Sequence, residues 1–305
     1  MGLGNFLSFV FFIIVVLLLG VYWFYPFSDV EFNSSTKEGN FSVNSSEENY
    51  SDMQFYSNMR YPSRVIKYRI SDCPLQKENA MQEALRIVEN LTVLNYIEVD
   101  ENEELYVTCD SQNVVKENLF VAGEGGPTKI VESGKYNVIL FGEILIREHS
   151  DCHLPAVELH ELFHTLGFGH SDNENNIMYS IYKCGQDIGD DMIQTINELY
   201  SEETLPDLIL NNVSAVLNGR ELDVEFNIFN AGLKEAFSGE VQILINEEVK
   251  STYDFSKIDI GQGYLVKQGN ILIKEFNVDE IVLKINYDSQ ELSKENNRVV
   301  LKLEN

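Results

Sequence analysis

Basic residues are scarce in this chain of 305 residues: 22 Lys and Arg stand against 49 Asp and Glu, a formal net charge of −27 at pH 7. A surface of that sign repels phosphate backbones, which argues against nucleic acid as a partner. The acidic residues are scattered and form no single tail, so they read as a solvated surface. Cysteine is scarce too. The four at 73, 109, 152 and 184 make no C-x-x-C pair; an even count without metal spacing suggests two disulfides, hence an oxidising compartment if the chain is exported. Histidine is limited to five residues and, like cysteine, is missing after residue 184, so no candidate catalytic chemistry lies beyond that point.

Charge is absent altogether from Phe6 to Phe27, a run of 22 residues ending in Tyr22-Trp23-Phe24-Tyr25. At 1.5 Å per residue it is long enough to span the roughly 30 Å hydrocarbon core of a bilayer. Its bulky aromatic end suits an interfacial belt better than a signal-peptidase site, so residues 1–28 are expected to be an uncleaved transmembrane anchor. No Lys or Arg precedes Lys37, so the positive-inside rule barely favours either orientation. Residues 29–60, rich in Asn, Ser and Glu and without periodicity, read as a disordered stalk. N-x-S sequons stand at Asn33, Asn40, Asn44 and Asn49, with further sequons at Asn90 and Asn212.

From Val65 the pattern changes. VIKYRI reads as a strand, and KENAMQEALRIVENL puts Ala80, Met81, Ala84, Leu85, Val88 and Leu91 on one helical face. Strands are expected at 96–99, 105–108 and 138–141, separated by acidic and Gly-rich loops that include Gly123-Glu124-Gly125-Gly126-Pro127. Cys73 and Cys109 each close a strand, so a bridge between them requires those strands to be sheet neighbours.

The chemistry gathers in LPAVELHELFHTLGFGHS. His160 and His164 lie four apart on one face of a helix opened by Pro155. A straight helix cannot direct a third ligand to the same ion. Gly167 can take a left-handed conformation, end the helix and turn the chain so that His170 comes back. Three neutral imidazoles leave a fourth position for water, the pattern of a catalytic rather than a structural zinc. His149 and His153 stand outside this pattern and read as surface residues. A structural calcium ion has no motif to support it.

HELFHTLGFGH resembles the long zinc signature of the metzincin metallopeptidases, and NIMYSIY, with Met178 eight residues after His170, resembles their Met-turn at matrixin spacing. YRISD with ENAMQEALRIVENL, and IGDDMIQTINELYS, are similar to the matrixin first strand and helix and to its closing helix. The resemblance implies a zinc endopeptidase acting on a protein or peptide, with His160, His164 and His170 as ligands and Glu161 as general base. It also implies Met178 as the floor beneath the metal and Tyr182 in the wall of the specificity pocket. Ser180 stands where matrixins usually have Pro, and no tyrosine is placed to act as an extra ligand. Cys152 and Cys184 bracket the zinc helix and Met-turn, and pairing them would tie the two together.

Zinc lowers the pKa of water toward 7, and a carboxylate at Glu161 is suited to take the proton and pass it to the leaving amine. The alternative is a non-catalytic, zinc-stabilised surface adhesion or binding protein, in which a base beside an open position would have no use. After Leu205-Pro206, ELDVEFNIF and EVQILINEEV alternate strictly, with further strand runs at NILIKEF and EIVLKINYD. LDVEFNIFNAG and the ending KINYDSQELSKENNRVVLKL resemble the CARDB group of Ig-like domains, implying a β-sandwich that spaces the protease or binds a surface polymer or protein.

The expectation is therefore an α+β, metzincin-type catalytic domain at 61–203 and an all-β sandwich at 206–305. A membrane anchor and stalk precede them, with the catalytic domain outside the cell and bridges Cys73–Cys109 and Cys152–Cys184.

Overall fold

In a computed structural model the described residues are 53–302, except 113, 117–118, 149–151, 219, 275–277 and 279. The expected anchor at 1–28, the stalk up to residue 52 with its four sequons, and His149 lie outside them. Among the described residues no helix is long and apolar enough to cross a membrane.

The last part of the expected stalk is folded against residues that follow it. Strand β1 (Met59–Arg60) pairs in parallel with the later strand β8 (Tyr136–Ile146), and both of its side chains are fully buried. The Arg60 guanidinium lies 4.5 Å from the centroid of the Tyr200 ring and donates to the carbonyls of Tyr61 and Leu199. Local composition cannot signal this, because the strand pairing with β8 and the contacts with Leu199 and Tyr200 are made with partners far along the chain.

The main sheet adds β2 (Val65–Ser71), β3 (Asn95–Glu98), β4 (Leu105–Cys109) and β7 (Gly123–Ser133), while β5 (Val115–Lys116) and β6 (Leu119–Phe120) form a separate small ribbon. Strands β3, β2, β4 and β8 pair in parallel in that order. Residues Gly142–Ile146 of β8 pair with β4 on one edge and with antiparallel β7 on the other, so β7 closes the sheet. The expected Gly123–Pro127 loop is in fact the beginning of this strand.

Helix α1 (Leu75–Leu91) buries Ala80, Met81, Ala84, Leu85 and Val88, the face that its periodicity gave, whereas Leu91 is exposed. Helix α2 (Ala156–Thr165) is buried all round, and α3 (Asp190–Leu199) buries Met192, Thr195, Ile196 and Leu199. These faces and the sheet share one core that contains Ile66, Leu105, Ile144, Leu162 and Met178. Strands β2 and β4 are parallel neighbours, so their C-terminal ends coincide, and Cys73 is bonded to Cys109 there with Cα atoms 4.8 Å apart.

Residues 208–302 form two antiparallel sheets. One has the order β13-β10-β9, with β9 at Leu208–Asn218, β10 at Glu221–Asn230 and β13 at Gly263–Leu272. The other has the order β12-β11-β14-β15, with β11 at Gly239–Ile245, β12 at Glu248–Phe255, β14 at Glu280–Asn286 and β15 at Arg298–Lys302. Their inner faces form a second core: Leu222, Val224, Phe226 and Ile228 alternate inward from β10 and meet Ile243, Leu283 and Ile285. Asn90 and Asn212 are both exposed.

Candidate metal centre

His160 and His164 are one turn apart on α2, and Gly167 follows with φ of +93°, a conformation that lets the chain turn back sharply. A side chain could not replace it, because a Cβ there would lie 2.7 Å from Met59 Cβ. The reversal brings in His170. Its Nε2 is 3.2 Å from His164 Nε2, which is 3.0 Å from His160 Nε2. Nitrogens held about 2 Å from one ion at tetrahedral angles are separated by roughly 3.3 Å, so this spacing suits zinc.

The outer nitrogens fix the tautomers. His160 Nδ1–H donates to the carbonyl of Ile177 at 2.8 Å, and His164 Nδ1–H donates to that of Phe168 at 2.7 Å, leaving each Nε2 lone pair for the ion. Burial pushes the His164 pKa down to about 4, with nearby His160 adding to the effect, and burial lowers His160 and His170 as well. All three are thus neutral donors at pH 7. The donor set fits a divalent zinc ion.

Glu161 is buried beside the ligands under the start of β7. A Cβ at Gly123 would come 2.7 Å from Glu161 Cγ, and one at Gly125 would come 2.5 Å from the Glu161 carbonyl oxygen. Only glycine permits this approach. Burial, then the charge of Glu124, raise the Glu161 pKa to about 8, and a hydrogen bond from the Gly125 backbone opposes them. A divalent cation beside the carboxyl would act in the lowering direction.

Met178 is buried between two ligand segments. The preceding residue, Ile177, supplies the carbonyl that orients His160, while the Met178 carbonyl accepts from the Ser171 amide next to His170 at 2.9 Å. Tyr182 is exposed, on a loop braced by buried Gln186, whose side chain bonds Lys183 N, Glu174 O and Ile181 O. Cys184, at the end of this loop, is bonded to Cys152 ahead of α2. His153 is exposed and is not among the three clustered histidines.

Some contacts have no counterpart in the sequence reading. Residues 53–55 pair with the loop between the ligands: Phe55 N–H donates to Gly167 O at 2.9 Å and Gly169 N–H to Met53 O at 2.5 Å. The Phe55 ring stacks on His164 at 5.8 Å between centroids. Gly123 and Gly125, read as loop residues, form the backbone layer over Glu161.

Residues 60–201 match the family model of the matrixins, peptidase family M10. Stromelysin-1 of Rattus norvegicus is 24% identical over 168 residues, which cover 48% of this chain and 33% of that protein, so the chain spans about a third of the length of this relative. Among solved structures, Myroilysin is 10% identical over 47% of this chain and 83% of its own, with a TM-score of 0.31. The CARDB domain of the PF1109 protein from Pyrococcus furiosus is 16% identical over 32% and 87%, with a TM-score of 0.29. These two likenesses are partial, and the architecture given above is that of this chain's own strand pairing. By the family match over residues 60–201 and the three imidazoles converging within them, this part of the chain resembles a matrixin, a zinc metallopeptidase domain.

Proposed function

We propose that the chain is a zinc-dependent endopeptidase with Glu161 as its general base. The observation that carries this reading is a buried carboxyl on the ligand helix, next in sequence to His160 of a three-imidazole site and under the backbone of an edge strand. When bound, zinc supplies Lewis acidity, polarising a carbonyl and acidifying water to near neutrality. The chain's residues supply the rest. Glu161 accepts the proton of the attacking water and delivers it to the leaving amine, with Gly125 N–H holding the carboxyl in place. Strand β7 pairs only with β8 among the described residues, so its other edge offers backbone groups to an extended peptide. Met178 backs the ligand loop, and Tyr182 lies on the loop that would border the specificity pocket.

Against the alternative of a zinc-stabilised adhesion protein stands the buried carboxyl itself, which a structural site does not need. The apolar run at 6–27, two disulfides and exposed sequons at Asn90 and Asn212 support an anchored peptidase facing an oxidising exterior. The sandwich would then contact a surface polymer or protein. The test is metal analysis of the full chain together with cleavage profiling on a peptide library before and after chelation. About one zinc per chain and chelator-sensitive cleavage are expected. Folded protein without stoichiometric metal would overturn the reading.

A further inference from the structure

The tip of the β7–β8 hairpin is gripped by the sandwich, at the opposite end of β7 from Glu161. Ser133, fully buried, has its Oγ 2.6 Å from the Gly232 carbonyl and 3.2 Å from that of Asn230, to which its hydroxyl donates. Gly134 follows with φ of +58°, so close that a Cβ would stand 2.7 Å from Ala231 O. From the sandwich side Gly261, at φ of +67°, approaches so near that a Cβ would stand 2.5 Å from Glu132 O. Tyr136 and Val138 of β8 form a buried cluster with Leu233.

The receiving loop is itself fixed. Asn230, fully buried, donates from Nδ2 to the carbonyls of Lys234 and Ile258 and accepts at Oδ1 from the amides of Asp207 and Gly232. The connection is short and tied down as well: Ala231 N–H donates to Asp207 O, Leu233 N–H to Leu205 O, and Thr204 Oγ1 to Pro62 O. A spacer on a flexible tether would not need a glycine on each side of the joint and a buried hydroxyl across it.

We propose that the sandwich is a positioning part of the peptidase: by clamping the closed end of the β7–β8 hairpin it holds the glycine end of β7 in register over Glu161. The proposal deepens the peptidase reading and rests on it for its catalytic meaning. The mechanical link is separate. Beside its pairing with β8 and the Gly125 contact with Glu161, the near end of β7 has no second strand neighbour among the described residues, so fixing its far end limits how far its near end swings. Ser133 and Leu233 are positioning residues here, since neither touches the ligands or the base.

The experiment is hydrogen exchange on the zinc-loaded full chain, read at the amides of 123–126. Leu233→Ala and the milder Ser133→Ala should each speed exchange there several-fold while zinc content stays at about one per chain. The control is Ile243→Ala, in the sandwich core but away from the joint. It should lower stability without changing exchange at 123–126. Unchanged exchange in both joint variants, or an equal rise in the control, would overturn the clamp. Because exchange is read without any substrate, an inactive but zinc-loaded protein would count against the peptidase reading alone.

Discussion

His164 donates from Nδ1 to the carbonyl of Phe168, 2.7 Å away, and so the loop that carries the third ligand also orients the second. Phe168 in turn is flanked by the amide and carbonyl pairs that join Gly167 and Gly169 to Phe55 and Met53. The ligand loop is thus held from the metal side by histidine and from the outside by a segment that lies far away in sequence.

That outer brace gives the first prediction. A chain starting at residue 61 lacks Met59 and Arg60, both fully buried, and the pairing of 53–55. Truncating a buried side chain of that size typically costs about 2–5 kcal/mol. Compared with a chain starting at residue 53, it should unfold at a markedly lower temperature and bind zinc more weakly. Equal melting temperatures for the two chains, measured by calorimetry with zinc present, would show that the brace contributes nothing.

The second prediction concerns the contact over the base. Gly125→Ala places a methyl group against the Glu161 backbone, where 2.5 Å is available. The edge strand must move, and a displacement of about 1 Å near reacting atoms can cost on the order of 10²-fold in rate. Zinc content should be retained because no ligand is altered. Steady-state kinetics within threefold of the unsubstituted chain would refute the close packing.

Much of this centre could be read from the sequence. HELFHTLGFGH fixes three ligands through local geometry: a helical turn sets His160 and His164 on one face, and Gly167 returns His170. The strict alternation of Leu222, Val224, Phe226 and Ile228 likewise gave the sandwich its inner face. What escaped was non-local. Gly123-Glu124-Gly125-Gly126-Pro127 has the composition of a loop, yet it is the start of an edge strand, because its glycines are needed for approach to Glu161 rather than for a turn. Met59 and Arg60 escaped for the same reason, being ordered by Gly167, Leu199 and Tyr200.

A third prediction follows from the Cys152–Cys184 bridge, which closes a 32-residue separation around the ligand helix and the loop that carries Tyr182. In the chain-entropy account a loop of that size contributes about 3–4 kcal/mol. The double variant Cys152→Ser/Cys184→Ser should therefore unfold at lower denaturant concentration, and its cleavage profile should broaden as the Tyr182 loop loses its anchor. An unchanged unfolding midpoint together with an unchanged cleavage profile would count against both effects.

The fourth concerns orientation. If the peptidase faces an oxidising exterior, all four cysteines should be blocked to alkylation in protein taken from intact cells without reductant. A protease that cannot enter cells should also release the domain. Four free thiols in a protected domain would reverse the proposed topology and leave the metal centre untouched.

The most direct test of the central claim is a comparison of Glu161→Gln with the unsubstituted full chain, measuring zinc content and peptide hydrolysis on the same preparations. The amide cannot accept the proton of the attacking water, whereas the three imidazoles are unaltered. About one zinc per chain is predicted in both, with hydrolysis by the variant lower by several orders of magnitude. Hydrolysis by Glu161→Gln at a rate close to that of the unsubstituted chain would contradict the role assigned to this carboxyl.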